Sequence, residues 1–141
     1  MIRKASAVWN GTLKDGKGTV TTESGLLAQT PYSFRSRFET GTGTNPEELI
    51  AAAHAGCFTM ALSAQLTGAG LTPESLATSA ALTLEQVDKA WTVTKIHLEV
   101  NARVPGTTNE AFQKVAADAK ANCPISRLLK AEITLKATLA S

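Results

Sequence analysis

The strongest constraint on the fold is an apolar segment that carries clear start and stop signals for one long helix. Asn45 is a favoured N-cap residue, Pro46 suits the first helical position, and Glu47 and Glu48 place acids in the first turn. Gly68 follows the last apolar positions and disfavours continuation of the helix. The pattern predicts a helix from residue 46 to residue 66 or 67.

Apolar residues at helical spacing predict which side of this helix is packed. The stripe consists of Ile50, Ala53, Cys57, Met60, Ala61 and Ala64. Cys57 is therefore expected on the packed side. The many alanines, together with Gly56, would let another element approach closely, as in a central helix wrapped by a sheet or by a second subunit. Ordinary helix-rich composition explains the same residues.

Alternating apolar and polar residues predict β-strands on both sides of the helix. The expected strands lie within residues 4–9, 18–24, 32–39, 76–87, 91–104 and 131–139. Turn residues between the first strands, including Asn10-Gly11, predict a small antiparallel meander. A turn is expected at residues 88–90, between the two long strands.

A second helix is predicted after Thr107, which has capping-box spacing to Glu110. Its expected apolar stripe is Phe112, Val115, Ala116 and Ala119. Strands grouped around helices, without alternation of single strands and helices, favour the α+β class. The length predicts one domain over residues 1–141.

Composition excludes several classes of protein. Hydrophobic residues make up 43% and charged residues 18% of the 141 residues, which is a globular balance. A net charge of +2, with scattered basic residues, disfavours binding to nucleic acid. The first residues contain no apolar signal region, and no stretch is expected to reach the length that spans a bilayer. We therefore expect no membrane association and a cytoplasmic location.

No metal or organic cofactor is expected. The two cysteines and two histidines lack the spacing of metal ligands. The glycine-rich turns near residues 16 and 41 lack the spacing of phosphate or dinucleotide loops.

The two cysteines are the candidates for chemistry, although free cysteines are usually small buried hydrophobes. Pro124 after Cys123 predicts that Cys123 caps a short helix, where amide groups would stabilise a thiolate. Cys57 lies in mid-helix, so the pKa of its thiol should stay near or above the usual value unless a cation lies beside it. Arg35 and Arg37 are candidates for that cation, or they form a solvated basic face.

His54 has competing interpretations, whereas His97, Glu47 and Glu48 have plain structural explanations. His54, three residues before Cys57, either contacts the thiol or the substrate, or packs in the core with a bond to a backbone carbonyl. His97 is expected on the polar surface of a strand. Glu47 and Glu48 are explained by the helix N-terminus alone.

Three segments closely resemble the OsmC/Ohr family. They are TNPEELI at residues 44–50, AHAGCFTMA at residues 53–61 and CPIS at residues 123–126. GKGTVTTESG near the start and LLKAEITL near the end extend the resemblance over nearly the whole chain, and they resemble the OsmC branch. The Ohr branch has an arginine in its first hairpin, where this sequence has Lys14 and Lys17.

The resemblance implies a thiol peroxidase that reduces organic hydroperoxides and, less well, hydrogen peroxide. By resemblance Cys57 is the peroxidatic cysteine, Cys123 is the resolving cysteine, and Arg37 and Glu47 arrange the site. The implied fold is an intertwined homodimer whose antiparallel sheets wrap two central helices. The implied reductant is an external dithiol, either a dihydrolipoamide-bearing protein or thioredoxin.

Helix geometry bears on how Glu47 would reach this site. Glu47 and Cys57 are ten residues apart, which corresponds to about 15 Å along a helix and about 80° around it. Both residues cannot serve one site within a single straight helix. We therefore expect a partner subunit to supply Glu47, unless the helix is kinked.

Two other functions remain open. Cys57 as an acyl-transfer nucleophile with His54 as base would leave Cys123 without a role. A redox-sensing dimer would use oxidation only to change shape or stability.

Overall fold

The structure is a computed structural model that describes residues 1–141. Its elements in chain order are β1 (Ala5–Asn10), β2 (Lys17–Thr22), β3 (Thr30–Tyr32), α1 (Phe34–Phe38), α2 (Pro46–Gly68), β4 (Ser75–Val87), β5 (Ala90–Arg103), α3 (Asn109–Asn122), α4 (Pro124–Leu128) and β6 (Glu132–Leu139). The chain forms two compact units, Met1–Leu49 and Ile50–Ser141. The α+β class is confirmed, and the single domain stays a prediction.

The first unit contains the predicted antiparallel meander, in the order β1-β2-β3. Trp9, Gly18 and Tyr32 are paired across its three strands. The Trp9 and Tyr32 rings lie 5.3 Å apart, and a Cβ at Gly18 would collide with both. Glycine is therefore needed where the two rings close over the middle strand.

The prediction of a strand over residues 32–39 is wrong. The strand ends at Tyr32, and Ser33 begins α1 through a capping box with Ser36. Phe34 and Phe38 lie one turn apart, with ring centroids at 5.0 Å. Alternation at positions 34, 36 and 38 imitated a strand, but the local capping bonds and the ring contact favour a helical turn.

The second unit contains a sheet in the order β4-β5-β6. The turn between β4 and β5 is confirmed, and Asp88 and Lys89 both have positive φ, as a two-residue hairpin turn requires. Strands β5 and β6 are parallel, unlike the antiparallel pairs expected of these sheets. The intervening α3 and α4 carry the chain back across the sheet, which makes a parallel pair possible.

The predicted apolar stripe of the second helix is largely confirmed. Phe112, Ala116 and Ala119 are fully buried, while Val115 packs at the margin of the core. The cap is one residue later than predicted, because the side chain of Thr108 accepts the bond from the Ala111 backbone N–H. Thr107 therefore precedes the cap.

The buried face of α2 differs from the predicted stripe. The fully buried residues are His54, Phe58, Leu62 and Leu66. Of the predicted stripe, Cys57 packs at the margin of the core, whereas Ala53 is exposed and Met60 is 76% exposed. Alanine makes every side of this helix apolar, so spacing alone does not identify the side that meets the sheet.

The expectation that no segment is long enough to span a bilayer is wrong. Helix α2 has 23 residues and is apolar enough to do so by length and composition. This is weak support for a membrane span, because the long core helix of a soluble protein has the same length and composition.

Candidate active site

The two cysteines, 66 residues apart in sequence, meet in the second unit. The Sγ atoms of Cys57 and Cys123 lie 2.7 Å apart, and both thiols are free. Cys123 is fully buried, whereas Cys57 is partly accessible. An attacking reagent can therefore reach Cys57 more easily than Cys123.

Cys123 lies at the junction of two helices. Its backbone N–H bonds to the Ala119 carbonyl to end α3, and the same residue is the N-cap of α4, with Pro124 at the first helical position. The predicted N-cap position is confirmed. Its side chain makes no capping bond, so the sulfur is left to contact Cys57.

The pKa of the Cys57 thiol is raised, as expected for a mid-helix cysteine. Burial is the main cause, and the hydrogen bond and the proximity of the Cys123 thiol raise the pKa further. The Ile125 backbone N–H acts in the opposite direction, because it bonds to the Cys57 sulfur and favours the thiolate. The amide of α4 therefore assists Cys57, whereas the sequence predicts that the start of this helix stabilises Cys123.

His54 takes neither of its two predicted arrangements in full. It is fully buried, as a packed histidine would be, but its Nε2 bonds to the Ser126 hydroxyl at 2.7 Å rather than to a backbone carbonyl. Burial lowers the pKa of His54, so the imidazole is neutral near pH 7. Sequence reasoning gave Ser126 no role, although it follows Cys123 by three residues.

The first unit brings together Arg37 and Glu47, the other two predicted site residues. Arg37 donates from Nε to both Glu47 oxygens, at 3.1 and 3.2 Å, and from Nη2 to Oε1 at 2.7 Å. The guanidinium also lies over the Phe38 ring, 5.1 Å from its centroid. A two-point bond and a stacked ring fix the plane of the guanidinium, which a lysine in its place would not allow.

Asn45 positions Glu47 relative to Arg37. Its Oδ1 accepts the Glu48 backbone N–H at 2.8 Å, and its Nδ2 donates to the Ser36 carbonyl at 3.1 Å. One side chain thus caps α2 and ties its first turn to α1, which carries Arg37. The predicted helix start is confirmed, and the preceding Gly43 has a positive φ beside the Pro31 carbonyl, where a side chain would not fit.

The remaining candidates lie elsewhere. Arg35 is exposed and pairs with Glu39 at 3.6 Å, on a different side of α1 from Arg37. His97 is partly buried, more than the predicted surface residue would be, and it bonds to Thr134 at 2.6 Å.

An apolar cavity of about 240 Å³ opens beside Arg37 in the first unit. Its lining residues are Trp9, Leu13, Tyr32, Ser33, Phe34, Arg37 and Phe38. One cation in an otherwise largely aromatic wall suits a ligand with an apolar body and one polar end.

Comparison with known sequences decides the family. Residues 39–138 match the family described as OsmC-like protein. The chain belongs to the OsmC-like family. This OsmC-like chain is also 53% identical over 139 residues to proteins named Peroxiredoxin OsmC from Escherichia coli K12 and Shigella flexneri, covering 99% of the chain and 97% of each relative. The predicted resemblance to the OsmC branch is confirmed.

Solved structures share the fold of the OsmC-like chain. An OsmC-like protein from Mycoplasma pneumoniae has a TM-score of 0.78 at 16% identity, with 100% of this chain and 99% of that chain covered. The organic hydroperoxide resistance protein OhrB of Bacillus subtilis has a TM-score of 0.72 at 23% identity, with 97% and 98% covered.

Proposed function

We propose that the protein is a thiol peroxidase that reduces organic hydroperoxides, and hydrogen peroxide less well, through a Cys57 sulfenic acid and a Cys57–Cys123 disulfide. The observation that carries the proposal is the 2.7 Å contact between the two free thiols. The names of the relatives, Peroxiredoxin OsmC and organic hydroperoxide resistance protein, support the same chemistry.

The first step is attack of the Cys57 thiolate on the outer peroxide oxygen. The O–O bond breaks, Cys57 becomes a sulfenic acid, and the alkoxide leaves and takes up a proton. The Ile125 N–H favours the thiolate. Arg37 of a second subunit would add positive charge that stabilises the thiolate and the peroxide oxygens. Glu47 orients the guanidinium, and the apolar cavity beside Arg37 holds the organic part of the substrate.

The second step is resolution by Cys123. Its sulfur attacks the Cys57 sulfenic acid, an S–S bond forms, and water leaves. An external dithiol then returns the disulfide to two thiols by exchange. A dihydrolipoamide-bearing protein is the first candidate reductant and thioredoxin the second. The two thiols and the dithiol carry all the electrons, so the cycle needs no metal or organic cofactor.

A homodimer in the cytoplasm completes the proposal. The exposed side of α2 is apolar and consists of the small residues Ala52, Ala53, Gly56 and Ala64 together with one large side chain, Met60. Such a face suits close packing against a second copy. Because Glu47 and Cys57 are ten residues apart on one helix, Arg37 and Glu47 of one subunit would serve the Cys57 of the other.

Replacement of Gly56 by leucine should weaken the dimer. A Cβ atom added at Gly56 meets nothing within 4 Å in its own chain, so the change should cost little within one subunit. In a close helix contact it should weaken association about tenfold or more, as overpacking does. Analytical ultracentrifugation measures this effect, with Gly68→Leu at the end of the same helix as the control. A monomer with full peroxidase turnover would exclude the arrangement in trans.

Peroxide consumption with excess dihydrolipoamide tests the proposed function. We expect turnover with cumene hydroperoxide to exceed that with hydrogen peroxide, and Arg37→Ala to lower kcat/KM by about 10²-fold or more. The same change should move Cys57 reactivity to higher pH, because the proposed cation that favours the thiolate is lost while burial still raises the pKa of this thiol. Arg35→Ala, on the same short helix, is the matched control and should stay within about twofold. Absence of wild-type turnover with every dithiol would refute the function.

The two other functions predict different results from the same assay. Consumption of less than one equivalent of peroxide would favour a redox-sensing dimer. Acyl transfer loses support because the Nε2 of His54, its expected base, bonds to Ser126 in a fully buried position.

A further inference from the structure

One polar residue interrupts the buried face of α2. His54 is followed at successive turns by Phe58, Leu62 and Leu66, and all four are fully buried. The Nδ1 atom of His54 makes no hydrogen bond. A buried polar atom without a partner costs stability, and a leucine at this position would avoid that cost. The histidine therefore calls for an explanation other than core packing.

The other ring nitrogen connects α2 to the helix that follows Cys123. His54 Nε2 lies 2.7 Å from the Ser126 hydroxyl, and Ser126 is 8% exposed. Helix α4 has five residues, so it is too short to be stable alone. Its position must depend on contacts such as this one.

The histidine–serine bond and the thiol contact join the same two elements, namely α2 and the start of α4. On α2, His54 and Cys57 are three residues apart, and Cys123 and Ser126 have the same spacing at the start of α4. Residues three apart share one side of a helix. Between Cys123 and Ser126 lies Ile125, whose N–H bonds to the Cys57 sulfur. A shift of α4 would therefore move both the resolving thiol and this amide.

We propose that His54 and Ser126 are positioning residues for resolution, which hold α4 so that Cys123 stays in contact with Cys57. This inference rests on the proposed peroxidase cycle. The step that it serves forms the Cys57–Cys123 bond, breaks the S–O bond of the sulfenic acid and releases the oxygen as water with the Cys123 proton and the sulfenic proton. The neutral imidazole contributes its hydrogen bond and exchanges no proton with the thiols.

A glutathione redox buffer measures how well the two thiols are held together, without any peroxide. The quantity measured is the effective concentration of the Cys123 thiol at Cys57, that is, how strongly the protein favours the disulfide. We expect Ser126→Ala to lower it about tenfold, the effect of losing one buried hydrogen bond. Ser126→Thr keeps the hydroxyl and should restore the wild-type value within about twofold. Ile96→Val, a buried change in β5, controls for general loss of stability and should leave the effective concentration unchanged.

A single-turnover reaction with cumene hydroperoxide gives the second readout. Ser126→Ala should slow disulfide formation more than Cys57 oxidation, so sulfinic acid should accumulate at Cys57. If Ser126→Ala has the same effective concentration as the wild type and forms the disulfide at the same rate, the inference is overturned. If Ser126→Ala does not fold, the same two measurements on His54→Leu test the inference, and the same two losses are expected. Failure of the peroxidase cycle itself would appear as no peroxide turnover in the wild type, whatever the redox buffer shows.

Discussion

Cys57→Ser should abolish sustained peroxide consumption, and we expect kcat/KM to fall on the order of 10⁴-fold or more, as when an enzyme loses its nucleophile. A serine hydroxyl does not ionise near neutral pH and attacks peroxide oxygen poorly, so neither Arg37 nor the Ile125 N–H can compensate. Stopped-flow consumption of cumene hydroperoxide measures the loss.

Cys123→Ser is the matched control for this change, because it removes a thiol from the same contact but leaves the proposed nucleophile in place. The first equivalent of peroxide should still be consumed in Cys123→Ser and not in Cys57→Ser. If both variants consumed the first equivalent of peroxide equally, Cys57 could not be the residue that attacks.

Removal of the resolving thiol has the second largest expected effect. In Cys123→Ser no disulfide can form within the chain, so turnover supported by dihydrolipoamide should fall about 100-fold or more. Repeated exposure to peroxide should convert Cys57 from sulfenic to sulfinic acid, because nothing traps the intermediate. Intact-protein mass spectrometry after each addition of peroxide distinguishes these products.

The wild type is the reference in that experiment and should accumulate disulfide rather than sulfinic acid. Wild-type turnover by Cys123→Ser would contradict the resolving role, since the dithiol would then reduce the sulfenic acid directly. That result would not contradict the attack by Cys57. The two cysteine variants therefore test the two steps of the cycle separately.

Local signals in the sequence predicted most of the secondary structure. The start of α2 depends on Asn45 and Pro46, which act on adjacent backbone groups, and the structure places the start there. The long hairpin of β4 and β5 follows from alternation and a polar turn. The strand prediction for residues 32–39 was wrong because the alternation there fits a short helix as well as a strand.

The candidate site was predicted mainly through the family resemblance. Spacing alone left Arg35 and Arg37 equivalent, because both lay on one side of the expected strand. In the helical turn that forms instead, Arg37 pairs with Glu47 and Arg35 with Glu39. The Ile125 amide and Ser126 carried no sequence signal beyond their place in the CPIS segment with Cys123.

The sequence by itself determined where the long helix begins and ends, which residues are candidates for redox chemistry, and the family, because these depend on neighbouring residues or on short motifs. Tertiary structure decided which side of α2 is buried, since alanine leaves all sides apolar. It also decided that Cys57 and Cys123 meet, and that His54 bonds to Ser126, 72 residues away. Contacts across such separations depend on how the helices pack against the sheet, which no local pattern specifies.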